Sequence, residues 1–229
     1  MKTFCHVPIE LEDLKTQTID KKRFYETPDG NLYPSITTVL SVRNKKGLFE
    51  WRKRVGDEVA NYVAVKAANR GTAVHHMCED YLNNDFDEEK HKKKFLAYCL
   101  FKQLAKETLD NVDNIHAQEC GLYSDKYKVA GRVDCIAEYN GKLSVIDFKT
   151  ANKERKEEWI GNYFLQCTAY GLMYEELFKK EIDQIVVIIG GEDGSIVSYV
   201  KEKKDYISKL EEVVEDFYKM FELEYGKSG

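Results

Sequence analysis

Proline is scarce: Pro8, Pro28 and Pro34 are the three in 229 residues, and none follows position 34. The first 34 residues are therefore expected to be irregular, and the rest free of proline breaks. No apolar run approaches the roughly 20 residues a membrane helix needs, which excludes a helical span. Cys5, Cys78, Cys99, Cys120, Cys135 and Cys167 are scattered without any C-x-x-C spacing. They read as reduced, mostly buried thiols, neither a disulfide framework nor a zinc site. There is no Walker-type G-x-x-x-x-G-K-[ST] loop, so any helicase activity must come from another chain. The start, MKTFCHVPIELEDLK, carries acidic residues where a secretory or transit peptide would be apolar or Arg-rich. A soluble, cytoplasmic protein without a targeting signal is expected.

An excess of positive charge is also lacking. The net charge is −5, which argues against a protein that simply coats nucleic acid. Charge is nonetheless uneven. Arg43, Lys45, Lys46, Arg52, Lys53 and Arg54 crowd one stretch, Lys90 to Lys94 another, and Lys149, Lys153, Arg155 and Lys156 a third. The segment from Glu211 to Glu224 is acidic. Charge runs are usually solvated faces, so these clusters permit a nucleic-acid partner without establishing one.

Periodicity supplies the outline. Pro28-Asp29-Gly30 reads as a turn, followed by a helix capped by Ser35 and carrying Val39 and Leu40. From Phe49 to Asn83 helix formers carry Trp51, Val55, Val59, Val63 and Val65, and Gly71 is expected to split this run into two helices. A further helix is expected over Glu88–Thr108, with Phe95, Tyr98, Leu100 and Leu104 inward. The period then changes to two. Ile115–Tyr123, Val129–Tyr139 and Leu143–Lys149 read as strands, the last two joined by an Asn140-Gly141 hairpin turn. A helix over residues 156–178, strands Ile185–Ile189 and Ile196–Val200 around a Gly190–Gly194 turn, and an amphipathic helix complete the chain. That last helix carries Leu210, Val213, Val214, Phe217, Met220 and Phe221. The expectation is one α/β domain over residues 1–229. Residues 1–110 would be mainly helical and residues 111–229 a core with a small mixed sheet.

The chemistry concentrates in GRVDCIAEYNGKLSVIDFKTANK. Alternation puts Asp147 and Lys149 on one strand face with Val145, and Ile146 and Phe148 on the other. Alone, D-x-K on a strand is more often a structural ion pair. Asp134, on the hairpin partner, changes the balance: two carboxylates can converge on a hard divalent cation while a lysine holds a water or offsets charge. Phosphodiester cleavage needs such a site, since charge builds up on the transition-state oxygens.

Gly131-Arg132-Val133-Asp134 with Asp147-Phe148-Lys149 resembles the PD-(D/E)XK nucleases. Arg70-Gly71-Thr72-Ala73-Val74-His75 is similar to the helix motif of the RecB-like exonuclease branch, and Gln166-Cys167-Thr168-Ala169-Tyr170 to its Q-x-x-x-Y motif. Tyr33-Pro34-Ser35-Ile36-Thr37-Thr38-Val39-Leu40 is similar to the N-terminal signature of small members, among them mitochondrial genome maintenance and phage exonucleases. D-x-K or Q-x-x-x-Y alone is weak; four motifs in order over residues 33–171 are specific.

The resemblance implies a restriction-endonuclease-like core and a Mg²⁺- or Mn²⁺-dependent DNA exonuclease. It implies metal ligation by Asp134, Asp147, the Phe148 backbone carbonyl and His75, with Glu119 a candidate for a second metal or a solvated strand residue. Glu79, one turn after His75, could orient it. Lys149, an ammonium at its ordinary pKa of roughly 10.4, would position the attacking water without acting as the base. Gln166 and Tyr170 share a helix face that approaches the scissile strand in similar nucleases, although Tyr170 also reads as core. Ser35, Thr37, Thr150 and Lys153 are candidate phosphate contacts. Trp51, Trp159 and Tyr163 are either base-stacking platforms or packing. No iron–sulfur cluster is expected, since no cysteine follows Cys167. The implied partners are single-stranded DNA or DNA ends, with replication or recombination proteins and no membrane, in a bacterial or phage-infected cell. A flap endonuclease and a catalytically silent DNA-binding protein are the competing readings.

Overall fold

The computed structural model describes residues 2–7, 9–42 and 45–225. Pro8 and Arg43 lie outside them, as do the side chains of Lys45 and Lys46. The centre is a five-stranded sheet in the order β4-β5-β6-β7-β8. Its strands are β4 (Val112–Ser124), β5 (Val129–Tyr139), β6 (Lys142–Ala151), β7 (Gln184–Gly191) and β8 (Ile196–Glu202). Asn140 and Gly141, with φ of +53° and +76°, turn β5 into β6 as expected. β6 and β7 run parallel, whereas the other neighbours are antiparallel. A parallel pair needs a crossover, and helix α6 (Gly161–Phe178) provides it. β7 is buried along its whole length, which explains its unbroken run Ile185-Val186-Val187-Ile188-Ile189.

Two apolar clusters sandwich the sheet. On one face α6, α7 (Lys204–Tyr225) and α1 (Ile36–Ser41) pack over Val145, Ile185, Val187 and Ile189. On the other, α3 (Asp57–Leu82) and α5 (Phe95–Thr108) cover Ile146, Phe148, Val186 and Ile188. This is the small mixed sheet flanked by helices expected of a restriction-endonuclease-like core, and Val145 opposes Ile146 and Phe148 as alternation requires.

The first 34 residues, expected to be irregular, and some helix boundaries depart from the expectation. Residues 15–34 form an antiparallel ribbon of β1 (Lys15–Ile19), β2 (Lys22–Glu26) and β3 (Leu32–Pro34). Every residue of β1 is exposed, so no apolar alternation marks it in the sequence. Its turn is made by Asp20 and Lys21 at positive φ, without glycine. Gly71 does not interrupt a helix: α3 runs through it, anchored on either side by buried Arg70, Ala73 and Val74. The break falls at Gly56, between α2 (Lys45–Val55) and α3. Val59 and Val65 are exposed on α3.

The helix expected over Glu88–Thr108 is two, α4 (Glu88–Lys92) and α5. Phe95 is 72% exposed, and the inward stripe is Ala97, Leu100, Phe101, Leu104 and Ala105, a 3.6-residue spacing that Phe95 does not share. In α7, Leu210, Val213, Val214 and Phe217 face inward while Met220 is exposed. Cys78, Cys135 and Cys167 are buried, whereas Cys5 and Cys99 are exposed and Cys120 is half-buried.

Candidate active site

β5 and β6 pair from Tyr139 opposite Lys142 to Cys135 opposite Ile146, where the pairing ends. The next opposed residues are Asp134 and Asp147, so the strands part at the two carboxylates. The parting frees backbone groups of Phe148. Its N–H donates to Asp134 Oδ2 at 2.8 Å. Its carbonyl lies 2.6 Å from His75 Nε2; a carbonyl only accepts, so Nε2 carries the hydrogen. Asp134 and His75 thereby replace a missing stretch of β-ladder.

The β4–β5 pair is distorted at the same level. Gln118 opposes Cys135 and Cys120 opposes Val133, and between them Glu119 has φ +45°. Alternation slips here. Ala117 and Cys120, three residues apart, both pack with the α6-side cluster, as do Val133 and Ile136. Glu119 and Asp134 consequently reach His75 on α3. His75 Nδ1 is 3.7 Å from Glu119 Oε1 and 3.6 Å from Asp134 Oδ2. One donor atom from each residue lies within 4.8 Å of the other two.

Asp147 stands apart from this trio. It is 1% exposed, and its Oδ1 lacks a hydrogen-bond partner. The compensation is charge: Lys149 Nζ lies 2.5 Å from Oδ2. An unsatisfied buried acceptor costs about 1–3 kcal/mol, and in a native fold it calls for an explanation such as a bound ion. The residues therefore fit a divalent cation. His75, Glu119 and Asp134 converge, and the Asp147 carboxylate, with Oδ1 unsatisfied, lies on the other side of the strand fork. The Phe148 carbonyl, which the resemblance makes a ligand, is engaged by His75.

The electrostatics follow from crowding. Burial pushes the Asp147 carboxyl up to about 6, against the opposing pull of Lys149. For Lys149 burial works downward, but Asp147 and Asp134 outweigh it and hold the ammonium above its ordinary value. Burial also works to lower His75, yet the charge of Asp134 and the contact with Glu119 raise it to about 9. Without a cation, then, the acidic residues around them hold both His75 and Lys149 toward their charged forms.

The other expected residues are partly gathered. Lys149 sits 5.2 Å from the Tyr163 ring centre. Gln166 Nε2 is 3.2 Å from the Tyr170 hydroxyl, but Tyr170 is buried in the core. Its ring lies on Gly131, where a Cβ would come 2.7 Å from Cε1. Thr150 Oγ1 accepts from Arg70 Nε at 3.1 Å. Arg70, 8% exposed, also donates to Asn152 at 2.8 Å and pairs with Glu192. It clamps α3 to the end of β6 beside Lys149, a role the sequence does not signal because its partners are far along the chain.

Ser35 is withdrawn from any surface: it is 2% exposed and its hydroxyl caps α1 by accepting from the Thr38 N–H. Thr37 and Lys153 are exposed. Trp51 is half-buried, and Trp159 is 61% exposed with Lys156 5.6 Å from its ring. Glu79 contacts His76 at 3.5 Å, the neighbour of the histidine it was expected to orient.

Residues 73–225 match the family model of the PD-(D/E)XK nuclease superfamily. The chain belongs to that superfamily. The matched stretch holds His75, Asp134, Asp147, Lys149, Gln166 and Tyr170, so the PD-(D/E)XK signature and the geometry coincide. Among curated proteins, the human mitochondrial genome maintenance exonuclease 1 is 25% identical over 178 residues, covering 72% of this chain and 51% of its own. The mouse protein of that name is 26% identical over 182 residues, covering 72% and 52%. The chain thus spans about half the length of these curated relatives. A solved structure from Eubacterium rectale, titled as a candidate exonuclease, aligns with a TM-score of 0.48 and 7% identity over 70% of this chain and 69% of that one.

Proposed function

We propose that this PD-(D/E)XK chain is a Mg²⁺- or Mn²⁺-dependent deoxyribonuclease that shortens DNA from ends, with single strands as its preferred substrate. The setting is replication, recombination or repair. The observation that carries the reading is Asp147: a fully buried carboxylate whose Oδ2 is held by Lys149 and whose Oδ1 has no hydrogen-bond partner, where β5 and β6 part.

The donor set is made of carboxylates and one imidazole, without thiolate, which suits a hard cation. Glu119, Asp134 and His75 through Nδ1 would hold it, with Asp147 at the other side of the fork. When bound, a divalent cation supplies Lewis-acid stabilisation of the phosphoryl oxygens and lowers the pKa of water. Lys149 stays an ammonium, so its part is to orient the attacking water and offset charge developing on the phosphate. His75, with Nε2–H directed at Phe148, presents Nδ1 in a fixed tautomer. Exposed Lys153, Lys156 and Trp159 offer charge and a stacking surface to the strand. Exonuclease polarity toward ends is supported by the names of the curated relatives.

The test is digestion of end-labelled single- and double-stranded DNA with Mg²⁺, Mn²⁺ or EDTA, for the native chain and Lys149→Ala. Shortening from one end that EDTA and the substitution both abolish is the expected result. Cutting of closed circles would favour an endonuclease. Binding without cleavage under every metal would remove the enzyme assignment.

A further inference from the structure

Glu119 is a non-glycine residue at φ +45° inside a strand. Such a backbone persists only where its surroundings impose it. The register is kept on either side, with Cys120 opposite Val133 and Gln118 opposite Cys135, while Glu119 is not among the paired residues. A side chain holds its carbonyl: the Arg132 guanidinium, from β5, donates to it through Nη1. Its other arm, Nη2, donates to Asp13 Oδ1 at 2.8 Å. Asp13 is held in place by its neighbour Leu14, which is buried and packs on Gly121, where a Cβ would lie 2.9 Å from its Cγ. The guanidinium thus bridges the Glu119 carbonyl and the exposed Asp13 carboxylate. With its carbonyl held by Arg132, which fixes the peptide that follows it, Glu119 directs its carboxylate to His75, 3.7 Å from Nδ1.

We infer that Arg132 is a positioning residue, which sets the Glu119 carboxylate in the metal centre by holding its backbone in the left-handed region. The inference rests on the reading of His75, Glu119 and Asp134 as metal ligands. Arg132 would not touch the cation; its effect passes through one ligand. The consequence is that the N-terminal segment around Asp13 and Leu14, outside the stretch that matches the nuclease family, takes part in building the centre.

Mn²⁺ titration calorimetry on the whole chain tests this, with Glu119→Ala, Arg132→Ala and the two combined. Outer-shell residues of metal sites typically contribute about 10–100-fold in affinity. Arg132→Ala is expected to weaken Mn²⁺ binding about 10-fold, and the double variant to bind no more weakly than Glu119→Ala alone. That non-additivity separates positioning from general destabilisation, which would multiply the two losses. Native affinity in Arg132→Ala, or multiplied losses in the double variant, would overturn the inference. Should Arg132→Ala not fold, Arg132→Gln is read in the same cycle. Failure of the native chain to bind Mn²⁺ at all would instead sink the ligand reading on which the inference stands.

Discussion

The ring of Tyr170 rests on Gly131, so close that a Cβ there would sit 2.7 Å from Cε1. Two motifs far apart in the sequence, G-x-x-D and Q-x-x-x-Y, therefore meet as one packing contact, three residues from Asp134. The glycine is needed because a buried aromatic on α6 occupies the space its side chain would take.

Gly131→Ala is expected to destabilise the fold by about 1–3 kcal/mol, the usual cost of overpacking. Combining it with Tyr170→Leu should cost less than the sum of the two single changes, because the leucine vacates the ring position. Urea unfolding of the four proteins measures the coupling. Strict additivity would mean that the contact carries no strain.

Removing Lys149 leaves Asp147 as a buried charge without a counterion. Lys149→Met should abolish cleavage and lower metal-free stability by roughly 3–5 kcal/mol. Thermal melts with EDTA and with excess Mn²⁺ separate the two effects. The variant's melting point should rise more with metal than that of the native chain.

The shifts of His75 and Asp147 predict a pH dependence of the metal-free fold. His75 is raised from 6.5 to about 9, so its stabilisation is full below 6.5 and is lost as pH rises through 9. Asp147 is raised from 3.8 to about 6, so the folded state binds the extra proton and stability again falls as pH rises across that window. Urea midpoints in EDTA should decline from pH 6.5 to 9.5, and His75→Gln should flatten that decline. An unchanged slope in His75→Gln would remove the histidine from the explanation.

Ser35 is an N-cap before it is anything else. Ser35→Ala should cost about 1 kcal/mol through loss of the bond to the Thr38 N–H. DNA affinity, measured by fluorescence anisotropy, should not change, since the hydroxyl is buried. A selective loss of binding at native stability would restore it as a phosphate contact.

The core of the site was legible in the sequence because it is local. Asp147 and Lys149 share a strand face by period two, Asn140-Gly141 dictates the hairpin that brings Asp134 alongside, and the flanking apolar residues assign the faces. The β6–β7 region was legible for the same reason, its fully buried strand being written as a continuous apolar run. The ribbon at residues 15–34 was not, because β1 is polar and exposed and gains its place by pairing with a neighbour.

What only the tertiary structure decided is everything that depends on where strands stop pairing. The parting of β5 and β6 gives Asp134 and His75 their backbone partners in Phe148. The left-handed Glu119 turns a candidate strand glutamate toward the histidine, and Arg70 ties α3 to the end of β6. None of these has a spacing to read. Each arises from groups on separate elements satisfying one another once the sheet is formed. A sequence determines which side chains a strand presents; the three-dimensional fold determines which backbone groups are left for them to satisfy.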